Sequence, residues 1–250
     1  MASGWFVDLH SHVVPSGDDG AQSMAEGVAL CEEAAGRGTR VLFATPHVSA
    51  LVPPDEERET LVAERVEELR ERTGIDLRLG WELTPIAALL EVEPRRYALE
   101  GLDVVLMEVP FTGPADLLLA LGEHVEAAGL TPLIAHPERT EAVLERPMLA
   151  DELAERGWRL QVNATSLLGR HGPEREELGW RLLREGLATL VASDGHRATR
   201  PARLDDAYEL ALAELGPAAR SLFDGSALDV PRNRSETHAG RPVVSDGRTG

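Results

Sequence analysis

The stretch DLHSHVVPSGDDG, residues 8–20, sets His10 and His12 two positions apart and places Asp18 and Asp19 just beyond them. Imidazole nitrogens and carboxylate oxygens are donors that divalent metal ions take, yet a single His-x-His pair on a strand is often a packing accident. The same side-chain types recur along the chain at one kind of place, directly after a short apolar run. His47 follows VLFAT in ATPH, Glu82 follows LRLGW, and Glu108 follows DVVLM. His136 and Arg139 stand in AHPER, Asn163 ends RLQVN, and Asp194 and His196 stand in ASDGH. A carboxylate placed behind a run as apolar as DVVLM lies close to low-dielectric surroundings, where an unpaired charge is costly unless a cation meets it. Five histidines (His10, His12, His47, His136, His196) and four carboxylates (Asp19, Glu82, Glu108, Asp194) exceed the needs of one four- to six-coordinate ion. Two or three divalent ions are therefore expected, and mixed nitrogen and oxygen ligation suits manganese, zinc or iron. Asp18 and Asp19 are equivalent at this level of reasoning.

The apolar runs read as buried strands at 5–9, 41–45, 77–81, 103–107, 131–135, 159–162 and 189–192. Amphipathic helical segments lie between most of them, at about 21–36, 55–73, 114–128, 140–156, 173–186 and 201–215. In 55–73, Leu61, Val66 and Leu69 are expected near the buried face. Strands separated by helices imply right-handed βαβ units and a parallel sheet. Seven of them imply an α/β fold, a closed or nearly closed (β/α)7 TIM-like barrel in a single domain over residues 1–230. The C-terminal ends of parallel barrel strands share one face, where such folds build their sites, so the strand-end donors are expected to meet. Residues 231–250 contain few large apolar side chains and are expected not to pack as part of the domain; His238 falls there and is incidental.

With 43 acidic and 25 basic residues the chain carries a formal charge of −18, and all the basic residues are arginine. Such a surface repels a phosphate backbone, which argues against nucleic-acid binding. Absence of lysine removes Schiff-base chemistry, lysine bases and P-loop lysines. No apolar run approaches the length of a membrane span, the N-terminus lacks a secretory pattern, and one cysteine forms no internal disulfide. These features point to a cytoplasmic protein without membrane insertion.

Cys31 and Arg37 in CEEAAGR satisfy the Cys-x5-Arg spacing of cysteine-dependent phosphatases. That chemistry needs a thiolate cradled by backbone amides, whereas Glu32 and Glu33 would raise the thiol pKa and repel phosphate. Cys31 also sits among Met24, Val28 and Leu30 in a helix expected to face the core. His124 reads as a helix-surface residue, and His171, between two glycine-containing turns, as a mobile-loop residue within reach of substrate. Asn163 and Gly195 are expected to shape the site rather than to ligate.

Together, DLHSH, TPH, the Glu after the third strand, AHPER and SDGH resemble the polymerase and histidinol phosphatase (PHP) superfamily. HSHVVPSGDDG, ATPH, GWELT, LMEVP, IAHPER, QVN and the ASDGH before RP narrow the resemblance to the bacterial CpsB/YwqE-type protein tyrosine phosphatases of capsule and exopolysaccharide systems. It spans roughly residues 5–225. The resemblance implies a distorted barrel of the PHP type and a trinuclear site, with manganese the ion expected first. It places His10, His12, Glu82 and Asp194 on one ion, with Glu82 bridging to a second held by Glu108 and His136. Asp19, picked over Asp18 by the motif, joins His47 and His196 on the third. Arg139 and Arg200 match the phosphate-contacting arginines of the family, in keeping with bidentate guanidinium–phosphate pairing. The implied activity is dephosphorylation of phosphotyrosine in protein, with a bacterial tyrosine kinase as a candidate partner, by water that the ions acidify. The loop VSALVPPDEE after His47 and the linker after Glu82 depart from the family pattern. Alternatives are a small-molecule phosphatase such as a histidinol phosphatase, a polymerase-type exonuclease, which the charge disfavours, and a non-catalytic metal-binding regulatory module.

Overall fold

Each apolar run becomes a strand that stops at its polar end. A computed structural model describes residues 5–110 and 115–231, so the expected tail beyond Pro231, and His238 with it, lies outside the described residues. The strands are β1 (Phe6–Ser11), β2 (Thr39–Ala44), β3 (His47–Val48), β4 (Asp76–Leu79), β5 (Glu82–Leu83), β6 (Val104–Glu108), β7 (Thr131–Ala135), β8 (Arg159–Asn163) and β9 (Ala188–Ala192). The helices are α1 (Met24–Gly36), α2 (Glu56–Thr73), α3 (Asp116–Ala127), α4 (Glu141–Glu145), α5 (Met148–Glu155), α6 (Ala164–Leu167), α7 (Pro173–Arg184) and α8 (Asp205–Leu215). All strand pairings between these elements are parallel, in the orders β1-β2-β4 and β3-β5-β6-β7-β8-β9. The result is a single-domain α/β fold with parallel sheets.

Two of the seven expected strands are each divided in two. Pro46 offers no N–H to a ladder and separates β2 from β3. Gly80 separates β4 from β5 where the chain presses on Leu99, a Cβ there lying 2.3 Å from Leu99 Cδ2. After each break the chain pairs again as β3 with β5, bringing His47 directly opposite Glu82. The open side of β1 meets the loop after β9: Asp194 N–H donates to His10 O at 2.9 Å and His12 N–H to Gly195 O at 2.7 Å.

The strands pack apolar side chains on both faces. Val7, Leu9, Val41, Phe43, Leu106, Leu133 and Leu190 form one buried cluster, while Leu42, Val105, Ile134, Val162 and Val191 pack into a second together with the helices. Helix α2 is capped by Asp55, which accepts from Arg58 N–H at 2.7 Å, and ends at Gly74 in the left-handed region. Its buried residues are Val62, Val66 and Leu69, and Leu61 is 43% exposed, because spacings of four and three keep 62, 66 and 69 on one stripe. The helix expected over 140–156 is two, α4 and α5. Pro147 drives Arg146 out of the helical region to φ −133°, ψ 78°.

At the β1–β9 junction Gly195 is packed so tightly that a Cβ would stand 2.5 Å from the backbone of Ala202. Replacing Gly195 with Ala is expected to destabilise the protein by about 1–3 kcal/mol through overpacking, read as a fall of several degrees in Tm by calorimetry.

Candidate metal centre

The strand ends deliver all nine expected donors to one place. Four overlapping groups each bring ligand atoms within 4.8 Å of one another: His12, Asp19, His47 and His196; His10, Glu82 and His136; His10, His12 and Asp194; and His47, Glu82 and Glu108. The second and fourth groups share Glu82, and the Nε2 of His136 stands 4.0 Å from Glu108 Oε2, which fits the expected bridge. His12 also reaches the group of Asp19, His47 and His196, which was not anticipated.

Getting His10 to this site takes a local irregularity. Leu9 belongs to the same inward cluster as Val7, so strict alternation would send His10 to the opposite face. Instead the register of β1 against β2 shifts between Asp8 and Ser11, as at a bulge, and His10 Nε2 stands 3.1 Å from Glu82 Oε2. Two other donors sit in backbone conformations that non-glycine residues rarely adopt, His136 at φ 36° and Asp194 at φ 52°. Each costs on the order of 1–3 kcal/mol, held by the packing around it and turned to aiming a side chain.

A relay of amides orients the first donors. Asp194 can only accept, and its Oδ2 receives Asn163 Nδ2–H at 2.8 Å. Asn163 Oδ1 accepts from Gln161 Nε2–H at 2.8 Å, leaving Gln161 Oε1 to accept from His10 Nδ1–H at 3.0 Å. The chain of donors therefore protonates His10 at Nδ1 and leaves its Nε2 lone pair facing the centre. Glu138 takes no part in any of the four groups; its buried Oε1 accepts from Asn163 N–H at 3.0 Å and Ser166 Oγ–H at 2.7 Å, pinning the loop after β7 to the end of β8. Gln161 and Asn163 are two apart on a strand, a signal visible in QVN; Glu138 was hidden within what reads as an exposed loop.

The two aspartates separate clearly. Asp18 has a side chain only 2% exposed, 3.5 Å from His12 Nδ1 through Oδ2. It also accepts the backbone N–H groups of His47 and Gly20, each at 3.0 Å. Asp19, 69% exposed, directs Oδ1 to within 3.5 Å of His47 Nε2 and 3.3 Å of His196 Nε2. Asp18 thus orients His12 and the turn, and Asp19 stands among the donors.

Electrostatics favour cations here. Burial pushes against a charged His12, yet Asp18 and Glu82 raise its pKa to about 10. Burial, reinforced by the charge of Glu82, lifts Glu108 to about 7. Asp19 falls to about 2 beside His196, while Asp194 is held well below the carboxylate range by His10, His136, His196 and Arg200 despite full burial. Glu82 Oε2 lies 3.1 Å from the Nε2 atoms of His10 and His12 and 3.2 Å from His47 Nδ1. Glu108 Oε2 is buried and accepts no hydrogen bond, although its other oxygen takes the Thr84 hydroxyl. Carboxylate oxygens and imidazole nitrogens that converge in this way fit divalent ions.

Arg139 and Arg200 flank this donor set. Arg139 Nη1 donates to Asp194 Oδ2 at 2.6 Å and Arg200 Nη2 stands 3.6 Å from Asp194 Oδ1. His171, expected in a mobile loop, is fixed instead, with Nε2 2.9 Å from Thr165 Oγ1 and its carbonyl accepting from Arg175 Nη1–H at 3.3 Å. Burial and then the charges of Arg139 and Arg200 hold its pKa at about 4, so it stays neutral beside them. Cys31 is buried in α1, where burial and Glu32 push the thiol up to about 12. His124 rests on the Val92 carbonyl at 2.9 Å, a structural contact.

Known proteins resemble this chain in sequence and fold. The tyrosine-protein phosphatase YwqE of Bacillus subtilis is 28% identical over 244 residues, spanning 92% of both chains. A crystal structure from work on YwqE of Bacillus subtilis and CpsB of Streptococcus pneumoniae, described as metal-dependent tyrosine phosphatases, superposes with a TM-score of 0.77 at 27% identity, covering 86% of this chain and 89% of the other. An amidohydrolase from Burkholderia ambifaria with bound zinc shares the fold alone, with a TM-score of 0.52 at 13% identity over 95% of this chain and 89% of its own. The model of the family CpsB/CapC, capsular polysaccharide synthesis, matches residues 6–222, and this chain belongs to that family.

Proposed function

We propose that the protein is a metal-dependent phosphatase that removes phosphate from tyrosine in protein substrates. The observation that carries this reading is the convergence of nine donors, all but Asp19 buried or half-buried, beside two arginines at the strand ends. His10, His12, Glu82 and Asp194 would hold one divalent ion; Glu82, Glu108 and His136 a second; Asp19, His47 and His196, with His12 at the edge of the group, a third. Manganese is the ion proposed. The two backbone hydrogen bonds between the end of β1 and the loop after β9 support reading the strands as one closed seven-stranded PHP-type barrel. Residues 231–250 would form a tail outside it. A cytoplasmic location and a bacterial tyrosine kinase as source of substrate complete the proposal; no helix among the described residues is long and apolar enough to cross a membrane.

Bound divalent ions supply positive charge to the phosphoryl oxygens and acidify water to near neutrality. The remaining work falls to the chain. Arg139 and Arg200, both leaning on Asp194, present guanidinium N–H groups suited to phosphoryl oxygens. The relay from Asp194 through Asn163 and Gln161 holds His10 in one tautomer, and Asp18 holds His12. A tyrosine phenol, with pKa about 10, leaves without strong help from a protein acid. Cys31, protonated and buried in a helix, offers no nucleophile.

Three measurements test this. Purified protein stripped with a chelator should lose turnover of a phosphotyrosyl peptide and regain it with manganese; preferential turnover of histidinol phosphate would favour the small-molecule reading, and failure on every substrate with metal bound the regulatory module. Metal counts per chain should fall by about one ion in Asp19→Asn and stay unchanged in Asp18→Asn; the reverse would exchange the roles of the two aspartates. Cys31→Ser should keep wild-type turnover, and loss of turnover in a folded Cys31→Ser protein would overturn the metal mechanism.

A further inference from the structure

One side of the donor set is not cationic at all. A groove of about 740 Å³ opens directly from Asp19, His47 and Glu108, on the side of β3 and β5, away from Arg139 and Arg200 on the loops after β7 and β9. Among the described residues its lining continues with the apolar Leu51 and Val52 from the loop after β3 and Pro85 and Ile86 from the loop after β5, with Asp18, Ser49 and Thr84 as polar members. Leu51 is 94% exposed, yet its loop is tied, with Ser49 N–H donating to Val52 O at 3.0 Å and Leu51 N–H to Ser49 Oγ at 3.2 Å. Of the two hydroxyls on the wall, Thr84 donates to Glu108 and Ser49 accepts from Leu51 N–H. Among the described residues, a groove built this way offers mainly apolar contact area.

We infer that this groove receives the group esterified to the phosphate, the aromatic ring of phosphotyrosine together with an adjoining apolar residue of the substrate peptide, and that Leu51 and Ile86 set this preference. The inference rests on the phosphatase reading, and the geometry narrows it. A phosphoryl group held between the donors and the two arginines would find the groove at Leu51 and Ile86 open to its ester oxygen, on the side of β3 and β5. Polyol or charged leaving groups would lie against apolar walls with their polar atoms unmatched. An aromatic ring buries apolar area there, and the volume falls within the range of about 300–1,000 Å³ common for ligand sites, enough for the ring and a neighbouring side chain. The loop VSALVPPDEE and the segment after Glu82, where the sequence departs from the family pattern, are the segments that build these walls.

The test compares two non-hydrolysable probes on the manganese-loaded protein, benzylphosphonate and methylphosphonate, by calorimetry. Wild type should bind the aryl probe about tenfold or more tightly than the methyl probe. Leu51→Ser and Ile86→Thr should each bring the ratio toward one while methylphosphonate affinity holds. Leu51 is exposed, so Leu51→Ser tests the wall even where Ile86→Thr fails to fold. A wild-type ratio near one, or a ratio unchanged in the folded variants, overturns the inference. Turnover of a phosphotyrosyl peptide is measured in parallel. Turnover without aryl preference sinks the groove assignment alone, and aryl preference that Leu51→Ser abolishes, without turnover, upholds the groove and sinks the phosphatase reading.

Discussion

The molecule is organised around a Coulombic constraint at Glu82. One oxygen of this fully buried carboxylate stands 3.1–3.2 Å from imidazoles carried by two different strand segments, and Glu108 and Asp194 are buried nearby. Two like charges at about 4 Å repel by roughly 4 kcal/mol at an effective dielectric near 20, so three carboxylates so placed demand positive charge between them. Asp18 and Glu82 favour the charged form of His12, and divalent ions would supply more positive charge. Strand breaks, the bulge in β1 and the left-handed residues all serve that convergence.

Holding such donors apart from one another needs rigidity, and the fold supplies it from outside the donor set. Gln161 and Asn163 transmit the orientation of Asp194 to His10, Glu138 ties two loops together, and Asp18 fixes His12 while anchoring the turn that carries Asp19. Strain at His136 and Asp194 is tolerated because neighbouring backbone groups are already bonded, with Asp194 N–H engaged by His10 O and His136 N–H by Gln161 O. The surroundings are two-sided. Arg139 and Arg200 lie on the loops after β7 and β9, and Leu51 and Ile86 on those after β3 and β5.

Much of this was legible in the chain because two local rules act together. A short apolar run must be buried, and a polar residue at its end must stand at the rim of the core, so seven runs located both the strands and the residues that tip them. The proline in TPH and the proline after Arg146 mark breaks whose physical cause lies in the missing N–H and the ring itself, although the split of the 140–156 helix was not anticipated. Leu61 was placed on the buried face of α2 when Val62 occupies it, since helical spacing alone does not say where the stripe is centred.

Residue types and their order along the chain settled which donors exist and that they share one end of a parallel sheet, because strand polarity and side-chain chemistry are local properties. Tertiary packing settled the rest. Asp18 and Asp19 are adjacent and chemically identical, and only the position of His12, His47 and His196 around them divides orienting carboxylate from donor. His10 faces the centre through a bulge that no periodicity announces, and Leu51 and Ile86, 35 residues apart, become one wall only where the strands before them pair. Such distinctions depend on which long-range neighbour stands at a given face, and that is decided by the packing of the whole chain.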